Sequence, residues 1–177
     1  MNGFTKFSLT AITMLCLAVA LPAVDAVAQQ KQKVSYKTPS ENTKYPQQHL
    51  LDVGDVPGHQ VRIYEIHRTY PSNAPVFNGI KLKEQWTRGI SDYTDNSGPN
   101  TNYSIYVLEN GDKFFTQASV LAHGVGGGKL TTMTTGHITG GTGKLAGIRG
   151  TIRATGSADP KAGINENNTE IEYWIEK

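Results

Sequence analysis

The sequence predicts an all-β protein, an eight-stranded antiparallel β-barrel with an apolar lumen. Three observations predict it. From His59 onward, apolar and polar residues alternate with period two in seven separate runs, and no stretch of ordinary helix length shows the 3.6 period. Glycine-rich turns, drawn from 19 glycines, separate those runs at the short spacing of barrels and sandwiches. The chain is 37% apolar and 18% charged, which excludes wholesale disorder. Its 177 residues are too few for two ordinary domains. A net charge of +2 gives no electrostatic case for nucleic acid.

The elements follow in chain order. Residues 1–28 read as a secretory signal. Lys6 supplies the positive start, Phe7–Leu21 the apolar run, Pro22 the break, and Ala26-Val27-Ala28 the small-x-small cleavage site. The run is too short to span a hydrocarbon core of roughly 30 Å comfortably, so no membrane span is expected after cleavage. Cleavage after Ala28 removes Cys16, the one cysteine, and with it thiol catalysis and cysteine-based zinc sites. It removes Lys6 and Asp25 together, so the charge stays at +2. The expected location is secreted or periplasmic.

Residues 29–58 read as a flexible polar leader, with His49–Val53 as a short first strand. Residues 59–177 read as the barrel. His59–Tyr70 and Gly79–Thr94 are its first long strands. Asn102–Glu109 and Asp112–Ala122 flank Asn110-Gly111, the strongest hairpin signal in the chain. Lys129–Thr139 is Thr-rich and β-branched. Gly150–Gly156 and Thr169–Glu176 complete the set, with Ser157–Asn168 as a polar loop between them.

Alternation then assigns faces. In Gly79–Thr94 the inner face is Ile80, Leu82, Glu84, Trp86, Arg88, Ile90 and Asp92. In His59–Tyr70 it is Val61, Ile63, Glu65, His67 and Thr69, which leaves Tyr64, Ile66 and Tyr70 as an outward stripe suited to a homo-oligomer interface. In the last strand Thr169, Ile171, Tyr173 and Ile175 point in, against Glu170, Glu172, Trp174 and Glu176. Charges on an inner face need partners. Two readings stand open: mutual pairing of Glu65, Glu84 and Asp92 with Arg88, or a polar spot that handles a substrate. In the second, Glu65 and His67 lie roughly 7 Å apart on one strand. Glu65 would be a desolvated acid or base, with His67 as its proton partner. Trp86, Arg88, Glu84, Tyr106 and Tyr173 would contact the substrate. The five histidines show no HExxH spacing, so neither metal nor cofactor is expected.

One segment is more specific. His137–Gly150 reads HITGGTGKLAGIRG. It resembles the glycine-rich signature of the allene oxide cyclase and dirigent barrel families. There a strand enters a GG-[ST]-G turn, bends, and re-enters the next strand. Gly140, Gly141, Gly143, Gly147 and Gly150 would be structural turn residues, with Leu145 plugging the barrel end. Tyr64-Glu65-Ile66 resembles the Tyr-Glu-Ile of the cyclases' first barrel strand. The resemblance implies an eight-stranded antiparallel barrel with an elongated apolar cavity, assembled as trimers. It places Glu65 in that cavity. The cyclases carry Asn two residues on, where this chain has His67, and their cavity cysteine has no counterpart here. Both departures argue against jasmonate-type chemistry.

Three functions remain open on these residues: an exported isomerase or cyclase using a lumen carboxylate, a non-catalytic carrier of a lipid or other hydrophobic metabolite, and a structural interaction module. The partner expected for the first two is a small hydrophobic ligand, and the assembly a dimer or trimer. One testable outcome belongs to the leader: N-terminal sequencing of the exported protein should start at Gln29, and a start at Met1 in the membrane fraction would overturn the signal reading.

Overall fold

The computed structural model describes residues 30–159 and 162–176. The signal segment and its cleavage site lie outside the described residues. All regular structure is strand, apart from two single 3-10 turns at Ser40–Asn42 and Gly143–Leu145. The strands are β1 (Gln32–Thr38), β2 (Thr43–Asp52), β3 (His59–Thr69), β4 (Val76–Phe77), β5 (Ile80–Thr94), β6 (Gly98–Leu108), β7 (Lys113–Gly126), β8 (Lys129–Gly141), β9 (Ile148–Asp159) and β10 (Ile164–Ile175).

They form one antiparallel sheet in the order β1-β10-β9-β8-β7-β6-β5-β3-β2, with β4 added to β5. The ladder is ten-stranded and open, where eight strands closing on themselves were expected. β1 and β2 stand at opposite ends of it and do not pair. Yet only Pro39–Asn42 joins them, so Thr38 and Thr43 are at most about 18 Å apart. The sheet must therefore curl enough to bring the end of β1 within that reach of the start of β2. Side chains complete the approach: Arg68 of β3 donates from a terminal guanidinium nitrogen to Asn165 Oδ1 of β10 at 3.2 Å, and the Asn165 backbone N–H donates to Ser40 Oγ at 3.1 Å.

The segment expected to be a flexible leader supplies two of these strands. β1 lies along β10 with Lys33 opposite Glu172 and Ser35 opposite Glu170. Lys31, Lys33 and Lys37 ion-pair with Glu172, Glu170 and Glu166 at 2.9, 2.6 and 3.0 Å. A polar strand is held because its partner strand, over a hundred residues on, carries the opposite charges. The expected loop Ser157–Asn168 is likewise strand over most of its length, in β9 and β10.

The last strand keeps the faces its alternation gives. Thr169, Ile171 and Tyr173 are buried, and Glu170 and Glu172 are on the other side. β3 is inverted. Tyr64, Ile66, Arg68 and Tyr70 are buried, Ile63 is exposed, and Glu65 and His67 sit on the outer face. The outward Tyr/Ile stripe therefore does not exist. Both faces of this strand carry apolar residues, and the bulkier aromatic one packs inside.

β5 changes face partway. Leu82 points in, as expected. The pairing with β6 then slips, Leu82 opposite Leu108 but Glu84 opposite Val107, so Lys83 is an extra, bulged residue. Beyond it Gln85, Thr87, Gly89 and Ser91 are buried, while Arg88, Ile90 and Asp92 are exposed and Trp86 shares their side. One inserted residue moves every later side chain to the opposite face.

The interior has two levels. One end is solid. Phe77, Leu82, Leu108, Phe114, Leu145, Ile148, Ile171 and Tyr173 are fully or almost fully buried there. Phe114 stacks on Tyr106 with ring centroids 4.3 Å apart, and Phe77 packs on Phe114 at 4.9 Å. Leu145 enters this plug from the Gly143–Leu145 turn. Gly143 at φ +55° has no room for a Cβ beside the Asp112 carboxylate, and Gly147 at φ +77° lies against the Glu176 carbonyl. Those two glycines let the turn fold inward.

The opposite end holds the β2–β3, β5–β6 and β7–β8 connections. His59 stitches it. Its Nδ1 donates to Asp55 Oδ1 at 2.6 Å and its Nε2 to Asp92 Oδ1 at 2.7 Å. Only the imidazolium donates from both nitrogens, and the bonds to Asp92 and Asp55 hold the His59 pKa above its ordinary value. The same His59 contact lowers Asp55. The His59 contribution to stability is complete below its unfolded pKa of about 6.5 and is lost as pH rises through the raised folded value. The Asp55 contribution is present above about pH 4 and is lost on acidification through its lowered value. Melting temperature followed against pH should fall less for His59→Gln than for wild type between about pH 6.5 and 8.5. Parallel curves would show that the clasp does not titrate in that range.

Candidate functional site

Above the plug the curled sheet leaves a half-open cup of about 130 Å³, lined from β1, β2, β3 and β5–β10. The inward face of each strand supplies the wall. β7–β9 give a side on which Ala118, Val120, Leu130, Ile152 and Ala154 are interleaved with Thr116, Thr132 and Thr134. β3, β5 and β6 give a polar side with Tyr64, Gln85, Thr87, Asn100 and Ser104. The apolar lumen expected from alternation is thus confined to the plug and to parts of one wall.

A side-chain network forms the floor. The Tyr70 hydroxyl donates to Gln85 Oε1 at 3.0 Å. Gln85 Nε2 reaches Thr87 Oγ1 at 3.1 Å and the Tyr106 hydroxyl at 3.2 Å. Thr87 and Ser104 share a hydroxyl contact of 2.8 Å. Higher up, Asn100 Nδ2 donates to the Tyr64 hydroxyl at 2.8 Å. Gly89 makes that possible, because a Cβ there would strike the Tyr64 ring and hydroxyl.

Three charged residues line the cup: Arg62, Arg68 and Glu166. Glu166 is held by Lys37. Arg62 lies over the Tyr64 ring at 4.9 Å and donates to Gln48 Oε1 at 3.2 Å. Arg68 is different. It is 8% exposed, has no carboxylate partner among the described residues, and its buried Nε donates to nothing. The Tyr36 hydroxyl is also buried and without a hydrogen bond. Burial pushes the Tyr36, Tyr70 and Tyr106 hydroxyls above their ordinary pKa, against the pull of the Arg68 charge on each. All three stay protonated donors at neutral pH.

The residues singled out from sequence fall in three places. Tyr106 lines the cup. Tyr173 lies in the plug, its hydroxyl donating to Gln32 Oε1 and accepting from the Asn78 N–H, both at 2.7 Å. Glu65, His67, Glu84, Trp86 and Arg88 do come together, but on the outer surface. Arg88 contacts Glu65 at 2.6 Å, His67 Nε2 contacts Glu84 at 2.8 Å, and the His67 ring stacks on Trp86 with centroids 3.9 Å apart. Of the mutual pairing expected, only Glu65 meets Arg88; Glu84 pairs with His67 and Asp92 with His59, all outside the cup. Among the described residues no group of three His, Asp or Glu side chains is placed to hold a metal ion.

Arg68 and Tyr36 were not among the sequence candidates. The signal for Arg68 was its period-two spacing with Tyr64, Ile66 and Tyr70. Tyr36 had only the alternation Val34, Tyr36, Thr38 within a polar stretch. No protein-family model, no curated protein and no solved structure matches the chain.

Glu65→Gln removes one arm of an ion pair whose Arg88 side chain is 56% exposed. Chemical denaturation should register a loss of about 1 kcal/mol or less. A loss above about 3 kcal/mol would mean that Glu65 neutralises a buried charge, contrary to its place on the outer face.

Proposed function

We propose that this chain is a binding protein that carries a small organic molecule in the cup between its strands, and that it does no chemistry on that molecule through Glu65 or His67. The carrying observation is the cup itself: a cavity walled by nine strands, sealed below by an aromatic plug and open at the other end. Pockets of this kind, mostly concave with a few directed polar groups, are the default sites for small ligands. The aliphatic side chains of the β7–β9 wall retain the hydrophobic component expected of the ligand. The polar floor adds a head group to it. Against an isomerase stands the composition of the lining, whose one carboxylate, Glu166, is engaged by Lys37.

The glycine turn at 140–150 and the inward Leu145 support reading the curled sheet as a container related to the allene oxide cyclase and dirigent barrels. The N-terminal apolar run supports placing it outside the cytoplasm. A homo-oligomer would use the outer face, where Ile63 and Ile90 are direct cross-strand partners and both more than half exposed.

The experiment is methyl NMR with hexanol, hexanoate, phenol and benzoate as probes. Shifts should concentrate on Ala118, Leu130, Ile152 and Ala154, and saturate. Ala154→Phe, which fills the wall at mid-height, should abolish them while leaving the fold intact. Saturable shifts centred instead on Ile63, Ile90 or Ile105 of the outer face would sink the carrier reading.

A further inference from the structure

The unmet group of the cup, on Arg68, is a donor, and this chooses the ligand. Arg68 has five N–H donors and one hydrogen bond to protein, at Asn165. A guanidinium does not discharge at ordinary pH, so it cannot escape burial by losing its proton. Buried polar groups are nearly always partnered, and buried charges are paired. Arg68 Nε and the Tyr36 hydroxyl are the side-chain atoms among the described residues that break this rule. They belong to one cluster: the Tyr36 and Tyr70 rings meet edge to face at 5.8 Å, and the Arg68 charge acts on both hydroxyls.

The surrounding acceptors are already used. Gln85 Oε1 takes the Tyr70 proton, and Asn165 Oδ1 takes those of Arg68 and Asn167. The one lining carboxylate, Glu166, meets Lys37 and not Arg68. A partner entering from outside would bring an acceptor atom and negative charge to Arg68.

We propose that the cup binds a small organic carboxylate, its oxygens meeting the Arg68 guanidinium, and its short apolar body lying along Ala118, Leu130, Ile152 and Ala154. The inference rests on the carrier reading and names the ligand class for it. One cation at the floor matches a monoanion. A planar two-oxygen head suits a guanidinium edge. The adjacent aliphatic side chains favour an organic anion over a fully hydrated inorganic one. A cavity of about 130 Å³ takes a short body and leaves a long acyl chain outside. Arg62, nearer the open end on the same face of β3, adds a second positive field along the entry path.

The test uses the full mature chain with straight-chain monocarboxylates from acetate to octanoate, the matching primary alcohols, inorganic phosphate and sulfate, titrated at neutral pH by calorimetry and methyl NMR. Carboxylates of middle length should bind at least about tenfold tighter than their alcohols, the discrimination expected when a charged hydrogen bond is lost. Arg68→Met should remove that preference while keeping the fold. Arg68→Lys, which keeps charge but lacks the Nε–H, should weaken carboxylate binding by about tenfold. Alcohols binding as tightly as carboxylates would overturn the proposal and leave the cup as a carrier of neutral molecules. Phosphate or sulfate outcompeting every carboxylate would overturn the ligand class. A carboxylate affinity unchanged in both Arg68 variants would overturn the assignment of Arg68. Absence of binding by any probe, neutral or charged, would instead bring down the carrier reading itself.

Discussion

The extra residue at Lys83 governs how the interior is divided. A strand that alternated without interruption would carry one face from the plug to the cup, and β5 would bring Leu82, Glu84, Trp86 and Arg88 inside together. The bulge lets Leu82 pack with Leu108 in the plug and then turns Gln85, Thr87 and Ser91 inward above it. A second slip sits at the same level on the far wall, where Phe115 pairs with Gly140 but Thr116 with Ile138, leaving Thr139 unpaired. Bulges bend a strand and increase its twist. Two of them at the floor of the cup mark where the packing changes from aromatic and aliphatic to hydroxyl and amide.

That division has an electrostatic consequence. The plug is dry and closely packed, so a charge next to it is poorly solvated. Arg68 stands at the boundary, one pleat above Tyr70, and the aromatic hydroxyls around it are kept neutral by the same burial. The protein spends stability there. The outer cluster of Glu65, Arg88, His67 and Glu84 shows the opposite economy: charges paired across neighbouring strands where solvent can reach them. Arg68 and the outer cluster share β3, separated by no more than the thickness of the sheet. Their side of the sheet, not their chemistry, decides which of them can meet a ligand.

Much of the architecture was legible in the sequence. Period-two runs, Asn110-Gly111 and the glycine segment at 140–150 gave the strands after His59 and the inward Leu145. The last strand was read with its faces correct because its alternation is clean: Ile171 and Tyr173 against Glu170 and Glu172. β3 was not, because Val61 and Ile63 on one side compete with Tyr64, Ile66 and Tyr70 on the other, and local pattern holds no information on which side meets the plug. β5 was read correctly up to Leu82 and wrongly beyond it, since a one-residue bulge leaves no mark in composition. β1 was missed because its stabilisation comes from β10, far along the chain, and nothing local distinguishes Lys33 and Lys37 in a strand from lysines in a leader.

The candidate site was the least legible part, for a related reason. The inner face expected of these strands is the outer one, so its charges are Glu65 and Arg88, which satisfy each other, whereas Arg68 on the true inner face meets one amide and no carboxylate among the described residues. A pair of opposite charges at cross-strand positions is the arrangement a sheet reaches without any ligand. A lone cation at a position whose neighbours are Ile66 and Tyr70 is one it does not reach without cost. On the ladder Glu65 faces Arg88 directly, whereas Arg68 faces Gln85, a neutral amide that is already engaged. Register therefore separates the two arginines more sharply than composition does: each strand position has one opposite neighbour, and the charge whose neighbour cannot neutralise it is the one that marks the site.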